Sequence, residues 1–185
     1  MRSRLKTRIY QRVIASLLCV LFSVTFNSIQ ANEHKVDSLE MESYFQLSEK
    51  QWDLENTDSA IFFINKAIQF SKELGYYERT GKFLLNKARI FYSNSQAGKT
   101  FETIEEARAI YKQGNIKSGE PFALLYKGYF HEEDGEYDKA IITYKNGVNI
   151  AKQNKDTTNI GTLLNNLSVA YHALGDNESA IDYLI

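Results

Sequence analysis

Cysteine and proline are the residues this sequence does without. It holds one of each, Cys19 and Pro121, in 185 residues. Average usage of roughly 5% would supply about nine prolines, so helices can run long without a breaker. A single thiol makes no intramolecular disulfide, and the three histidines (His34, His131, His172) are too few and too scattered for a metal site. His131-Glu132-Glu133 lacks the second histidine, four residues on, that zinc-protease chemistry needs. Gly114 and Gly119 are loop residues with no Lys-Ser or Lys-Thr behind them, so no phosphate loop is present, and no nucleophile elbow occurs. The cluster Glu132-Glu133-Asp134-Glu136 reads as solvated charge at a helix end rather than as paired catalytic carboxylates. The chain is therefore expected to be no enzyme and to carry neither cofactor nor metal.

A basic block is also missing from the body of the chain. The formal net charge is −1. The basic residues Arg2, Arg4, Lys6, Arg8 and Arg12 all precede the first acid, Glu33, which leaves a mildly acidic body. Nucleic acid is thereby excluded as a partner. What is present in quantity is apolar surface, 43% hydrophobic residues with 12 Tyr and 11 Phe, too much for a disordered chain.

The first 31 residues read as an address. Residues 1–12 are cationic, 13–26 are an apolar run, and 27–31 form a polar tail ending in Ala31. As a helix the run spans about 21 Å, short of the roughly 30 Å hydrocarbon core, so a cleaved secretory signal fits better than an anchor. Cleavage after Ala31 predicts an exported chain, periplasmic or extracytoplasmic. Cys19 would leave with the signal, and Leu18 before it argues against lipidation.

The body repeats at intervals of forty. One column is small throughout, Ser48, Ala88, Gly128 and Ser168; a second holds Ala60, Thr100, Ala140 and Ala180. Tyr44, Leu84, Leu124 and Leu164 form an apolar column, as do Ile64, Ile104, Tyr144 and Leu184. Within a unit the apolar residues fall at helical spacing, as in Leu163, Leu164, Leu167 and Tyr171. Polar turns, Asp134-Gly135-Glu136 and Leu174-Gly175-Asp176, separate the stripes. Each unit is thus predicted to be two antiparallel helices, the small columns letting their backbones approach. Second helices are expected near 58–73, 98–113 and 137–153. The predicted organisation is a signal peptide over 1–31, a lead-in over 32–40, and repeat units 41–80, 81–120, 121–160 and a partial 161–185. Asp37-Ser38-Leu39-Glu40 offers the cap of the first helix.

The run Leu124, Gly128, Gly135-Glu136-Tyr137-Asp138-Lys139-Ala140, Tyr144 and Gly147 resembles a tetratricopeptide repeat. So does Leu164, Leu167-Ser168, Tyr171, Gly175-Asp176 and Ala180. The resemblance is weaker over 41–120, where Glu55 and Ser95 replace the turn glycine. It implies an all-α solenoid of antiparallel helix pairs, a right-handed superhelix of about three and a half repeats. The forty-residue period matches a longer variant of the family's usual repeat, with loops expected at 114–120 and 154–159. The resemblance also implies a groove lined by first helices, with partner contacts at Trp52, Lys82, Asn86, Arg89, Tyr92, Phe122, Tyr126, Tyr129, Asn165, Asn166 and His172. Rings and amides suit an extended peptide. The family's dicarboxylate clamp is ruled out, since its five positions hold Phe45, Glu49, Asn86, Phe122 and Tyr126 and only the asparagine matches. The expected function is binding of a protein or peptide. Alternatives are the sensor region of a truncated receptor, with a membrane segment downstream, and a cell-envelope assembly scaffold. The last helix stops at Ile185 without a cap, which predicts a longer natural chain or self-association through that helix.

Overall fold

The computed structural model describes residues 38–184. The chain divides into two units, residues 1–40 and 41–185. Only 38–40 of the first are described, so the signal-peptide reading, Cys19 and the proposed cap at Asp37 lie outside the described residues.

The described residues form helices and no strands. Helix α1 covers residues 38–53. It is followed by α2 (Thr57–Glu73), α3 (Tyr77–Ser93), α4 (Ala97–Gln113), α5 (Gly119–Glu133), α6 (Tyr137–Asn154), α7 (Thr157–Leu174) and α8 (Asn177–Asp182). From α2 onward each helix packs on the next, and α3 also touches α5, as α5 touches α7. This is the expected all-α stack of antiparallel helix pairs. The starts of α2, α4, α6 and α8 step evenly by forty residues.

The length of the repeat lies in its helices rather than in loops between units. The segment 154–159, read from the sequence as a loop, is interrupted only at residues 155 and 156: α6 runs to Asn154 and α7 begins at Thr157. Two residues suffice there because Lys155 turns the chain at φ 57° and the Asp156 carboxylate caps α7, accepting from the Asn159 N–H at 3.1 Å. Among the described residues the longest connection is 114–118.

The turns explain how the first two units manage without glycine. Gly135 and Gly175 take φ of 73° and 87°, and Glu55 and Ser95 adopt the same left-handed backbone at 59° and 56°. The hydrogen bonds are equivalent: Asn56 N–H donates to the Gln51 carbonyl at 2.9 Å and Glu136 N–H to His131 at 2.8 Å. A side chain there costs about 1–2 kcal/mol, which helix packing on both sides offsets.

The small columns pack as the sequence implied. Ser48 and Ser168 are buried, and their hydroxyls donate to the carbonyls of Ala60 and Ala180 at 2.8 and 2.7 Å. The same bond thus closes the first and last pairs, fastening the close approach of the two helices with a satisfied buried group.

Candidate functional site

The first members of successive pairs are α1, α3, α5 and α7, of which α3 packs beside α5 and α5 beside α7, and two hollows of about 360 Å³ each open along them. The first is lined by Glu42 and Phe45 of α1, Arg79, Lys82, Phe83 and Asn86 of α3, and Phe122 and Tyr126 of α5. The second is lined by Glu78 and Lys82 of α3, Tyr111 of α4, Ile116 and Ser118 of the connection, Gly119, Phe122 and Leu125 of α5, and Thr158, Asn159 and Thr162 of α7. They share Lys82 and Phe122, so the two form one groove.

Aromatic residues dominate the first hollow and its charges are matched. The Phe45 and Phe83 rings stack at 5.0 Å, and Phe122 meets Tyr126 edge-on at 5.2 Å. At the rim Arg79 pairs with Glu42 at 2.9 Å and Lys82 with Glu78 at 2.7 Å. All four side chains are well exposed, so these pairs add little stability. Their effect is to leave the groove without net charge. Asn86 donates to the Lys82 carbonyl at 3.1 Å and accepts from Arg89 at 3.0 Å, which fixes its amide at the edge.

Four of the expected groove residues, Lys82, Asn86, Phe122 and Tyr126, therefore sit in the groove. Trp52, Arg89, Tyr92 and Tyr129 lie elsewhere, nearer the hairpin turns, and the first three join neighbouring pairs. The Arg89 guanidinium lies 4.5 Å over the Trp52 ring, and Trp52 Nε1 donates to Ser93 Oγ at 3.1 Å. Tyr92 packs against Phe130 at 4.5 Å and donates its hydroxyl to Asp134 at 2.9 Å. Burial, then that bond, pushes the Tyr92 pKa up to about 12. Tyr129 meets Phe130 edge-on at 5.4 Å and stays exposed. Desolvation also raises the carboxyl of nearby Glu49, against the pull of Arg89.

Asn165 and Asn166, on α7, line neither hollow. His172 is not in the groove either. Its Nδ1 lies 2.8 Å from Asn177 Oδ1, so the ring is tied to the turn between α7 and α8. A histidine in the last turn of a first helix finds its nearest partner five residues on, as His131 finds Glu136 at 2.8 Å. His131 packs as the sequence implied, stacked on Phe101 at 4.7 Å. Among the described residues no cluster of His, Cys, Asp and Glu is placed to hold a metal, and no helix is long and apolar enough to cross a membrane.

The sequence reading missed most of the second hollow, including Tyr111, Ile116 and Asn159. The reason is that this wall comes from a second helix, a connection and the start of α7, not from the first-helix positions of the family pattern. The available signal was Tyr111 itself, a large residue in a column whose other members are Ser71 and Ala151.

Family models of the tetratricopeptide repeat match residues 42–74 and 121–184, together more than half of the chain. No curated protein matches the sequence. Among solved structures, BtubC from P. vanneervenii superposes with a TM-score of 0.61 at 19% identity, over 80% of this chain and 61% of its own. The apo form of RapI gives 0.65 at 18% identity, over 80% of this chain and 41% of RapI. A Rap conjugation gene regulator of plasmid pLS20, solved in complex with the Phr* peptide, gives 0.61 at 18% identity, over 83% and 43%. The chain thus spans less than two thirds of the length of each of these three structures, and identities this low speak to the fold alone.

Proposed function

The chain belongs to the tetratricopeptide-repeat family, and from that premise we propose that it binds an extended segment of another polypeptide along the face of α1, α3, α5 and α7, without catalysing a reaction. The observation that carries this reading is the continuous groove itself, with aromatic rings in it and a rim whose charges are already paired. Such a surface rewards uncharged apolar side chains of a partner, and buried aromatics are the residues that concentrate binding energy. That one structural neighbour was solved with a peptide supports the same reading.

The test is selection from a phage-displayed random dodecapeptide library on the purified chain. Recovered peptides should be rich in aromatic and aliphatic residues. They should lose about tenfold or more in affinity for Phe122→Asp, since Phe122 borders both hollows. They should bind Phe62→Ser, a change at an exposed ring of α2, as well as the wild type. Recovery of no peptide, or equal binding by the Phe122 variant, would overturn the reading.

Export is part of the same proposal and rests on the cationic, apolar and small-ended segments of residues 1–31. Sequencing the N-terminus of the chain recovered from a bacterial envelope fraction should give Asn32. A chain retained in the cell interior with residues 1–31 intact would refute it.

A further inference from the structure

Lysine stands twice at one place in the repeat. Lys87 of α3 and Lys127 of α5 are forty residues apart, and both are half-buried on helices that pack against the second helix of the preceding unit. Leu47 and Leu167 hold the same place in the outer units. An ammonium drawn that far out of water costs free energy unless a carboxylate meets it. Lys127 has one: its Nζ donates to Glu105 of α4 at 2.7 Å. Forty residues before Glu105 the chain carries Asn65, so α2 offers Lys87 no carboxylate at that position. Lys87 instead lies 5.5 Å over the Phe91 ring, which Lys99 of α4 approaches to 5.4 Å as well.

The charges around Lys87 do not replace the missing partner. Burial pulls its pKa below the ordinary lysine value, Glu106 opposes that, and Lys72 and Lys99 add to the fall. Glu106 is itself engaged, by Lys72 at 2.9 Å. Three ammoniums, one each from α2, α3 and α4, thus stand against a single carboxylate, on a chain body that is otherwise acidic. A ring approached by two cations at this range attracts each of them only weakly. Lys87 Nζ is not sealed in: it is absent from the buried atoms without a partner, so solvent reaches it. None of the three lysines lines the groove.

We infer that Lys87, Lys99 and Lys72 form a carboxylate-binding site that docks an acidic segment of another polypeptide, apart from the groove. Glu106 on Lys72 already displays the contact that such a partner repeats, one carboxylate oxygen on one ammonium. The exposed Lys99 meets the segment at the surface, and the half-buried Lys87 gains the counter-charge that Lys127 finds within its own chain. Three ammoniums on three helices, with a carboxylate among them, suit singly charged groups spaced along a chain better than one compact, multiply charged anion.

The probe is dodecaglutamate, titrated into the purified chain at neutral pH and low ionic strength. Binding is read lysine by lysine from the side-chain Hε–Cε resonances, so the basic residues 2–12 do not enter the readout. The Lys87 and Lys99 signals should move together and that of Lys152, on α6, should stay. In Lys87→Gln the affinity read at Lys99 should fall about three- to tenfold. Asn65→Glu gives Lys87 the partner that Lys127 has; it should raise the melting temperature and weaken the peptide at least as much. Asn146→Glu, the same charge change on α6, should leave binding unchanged. Unmoved Lys87 and Lys99 signals, or equal affinity at Lys99 in Lys87→Gln, would overturn the inference. So would a response of these two lysines to inorganic triphosphate at lower concentration than to the peptide, which marks a compact-anion site. The dodecapeptide selected on the groove should bind Lys87→Gln as tightly as the wild type, which keeps the two surfaces distinguishable.

Discussion

A Cβ at Gly128 would run into the ring of Tyr144, which is fully buried and held by its hydroxyl on Glu132 at 2.9 Å. In the preceding unit the same two columns hold Ala88 and Ile104, a larger first residue against a smaller second one. The pairs trade volume, as close-packed interiors require. Gly128→Ala should therefore destabilise the wild type, with overpacking outweighing the gain in helix propensity. In a Tyr144→Ile background the same change should be neutral or stabilising. A urea double-mutant cycle should return a coupling of about 1–3 kcal/mol; additive effects would show that the two side chains do not compete for space. The smallness of the Ser48, Ala88, Gly128 and Ser168 column was legible in the sequence. That one member must be glycine was not, because no local signal ties residue 128 to the ring sixteen positions later.

The helix caps vary from unit to unit although the helices they open start at the same repeat position. The N-caps of α2, α4, α6 and α8 form a column of their own: Asn56, Gln96, Glu136 and Asp176. The short members cap, Asn56 accepting from Ser59 N–H and Asp176 from Ser179 N–H at 3.1 Å. Gln96 and Glu136, each one methylene longer, make no such bond. Glu136 instead binds His131 and Lys139, and Gln96 leaves its Oε1 buried without a partner. Gln96→Asn should let the shorter amide accept from the Lys99 N–H, raising stability by about 0.5–1 kcal/mol in urea denaturation. A loss of stability would mean that Gln96 packs better than its unpaired oxygen implies. The sequence pattern located the second helices to within a residue or so of α2, α4 and α6. It misjudged 154–159, since Lys155 enters the left-handed region without the glycine that normally announces it.

Over the whole molecule, the order of helices was readable because each pair repeats the same burial pattern, and the groove followed from which helix comes first in each pair. Lys82, Asn86, Phe122 and Tyr126 were found that way. Trp52, Tyr92 and His172 occupy equally plausible first-helix positions, but neighbouring pairs and turns engage them, and only three-dimensional contacts decide that. The second hollow depends on a connection and on Tyr111, where the repeat departs from its own rule. Amide hydrogen exchange of the full chain, with and without the selected dodecapeptide, addresses the central claim most directly. Binding in the groove should slow exchange in α3 and α5, at residues 79–86 and 122–126, and leave the outer faces of α2, α4 and α6 unchanged. Protection confined to those second helices, with α3 and α5 unaffected, would contradict it.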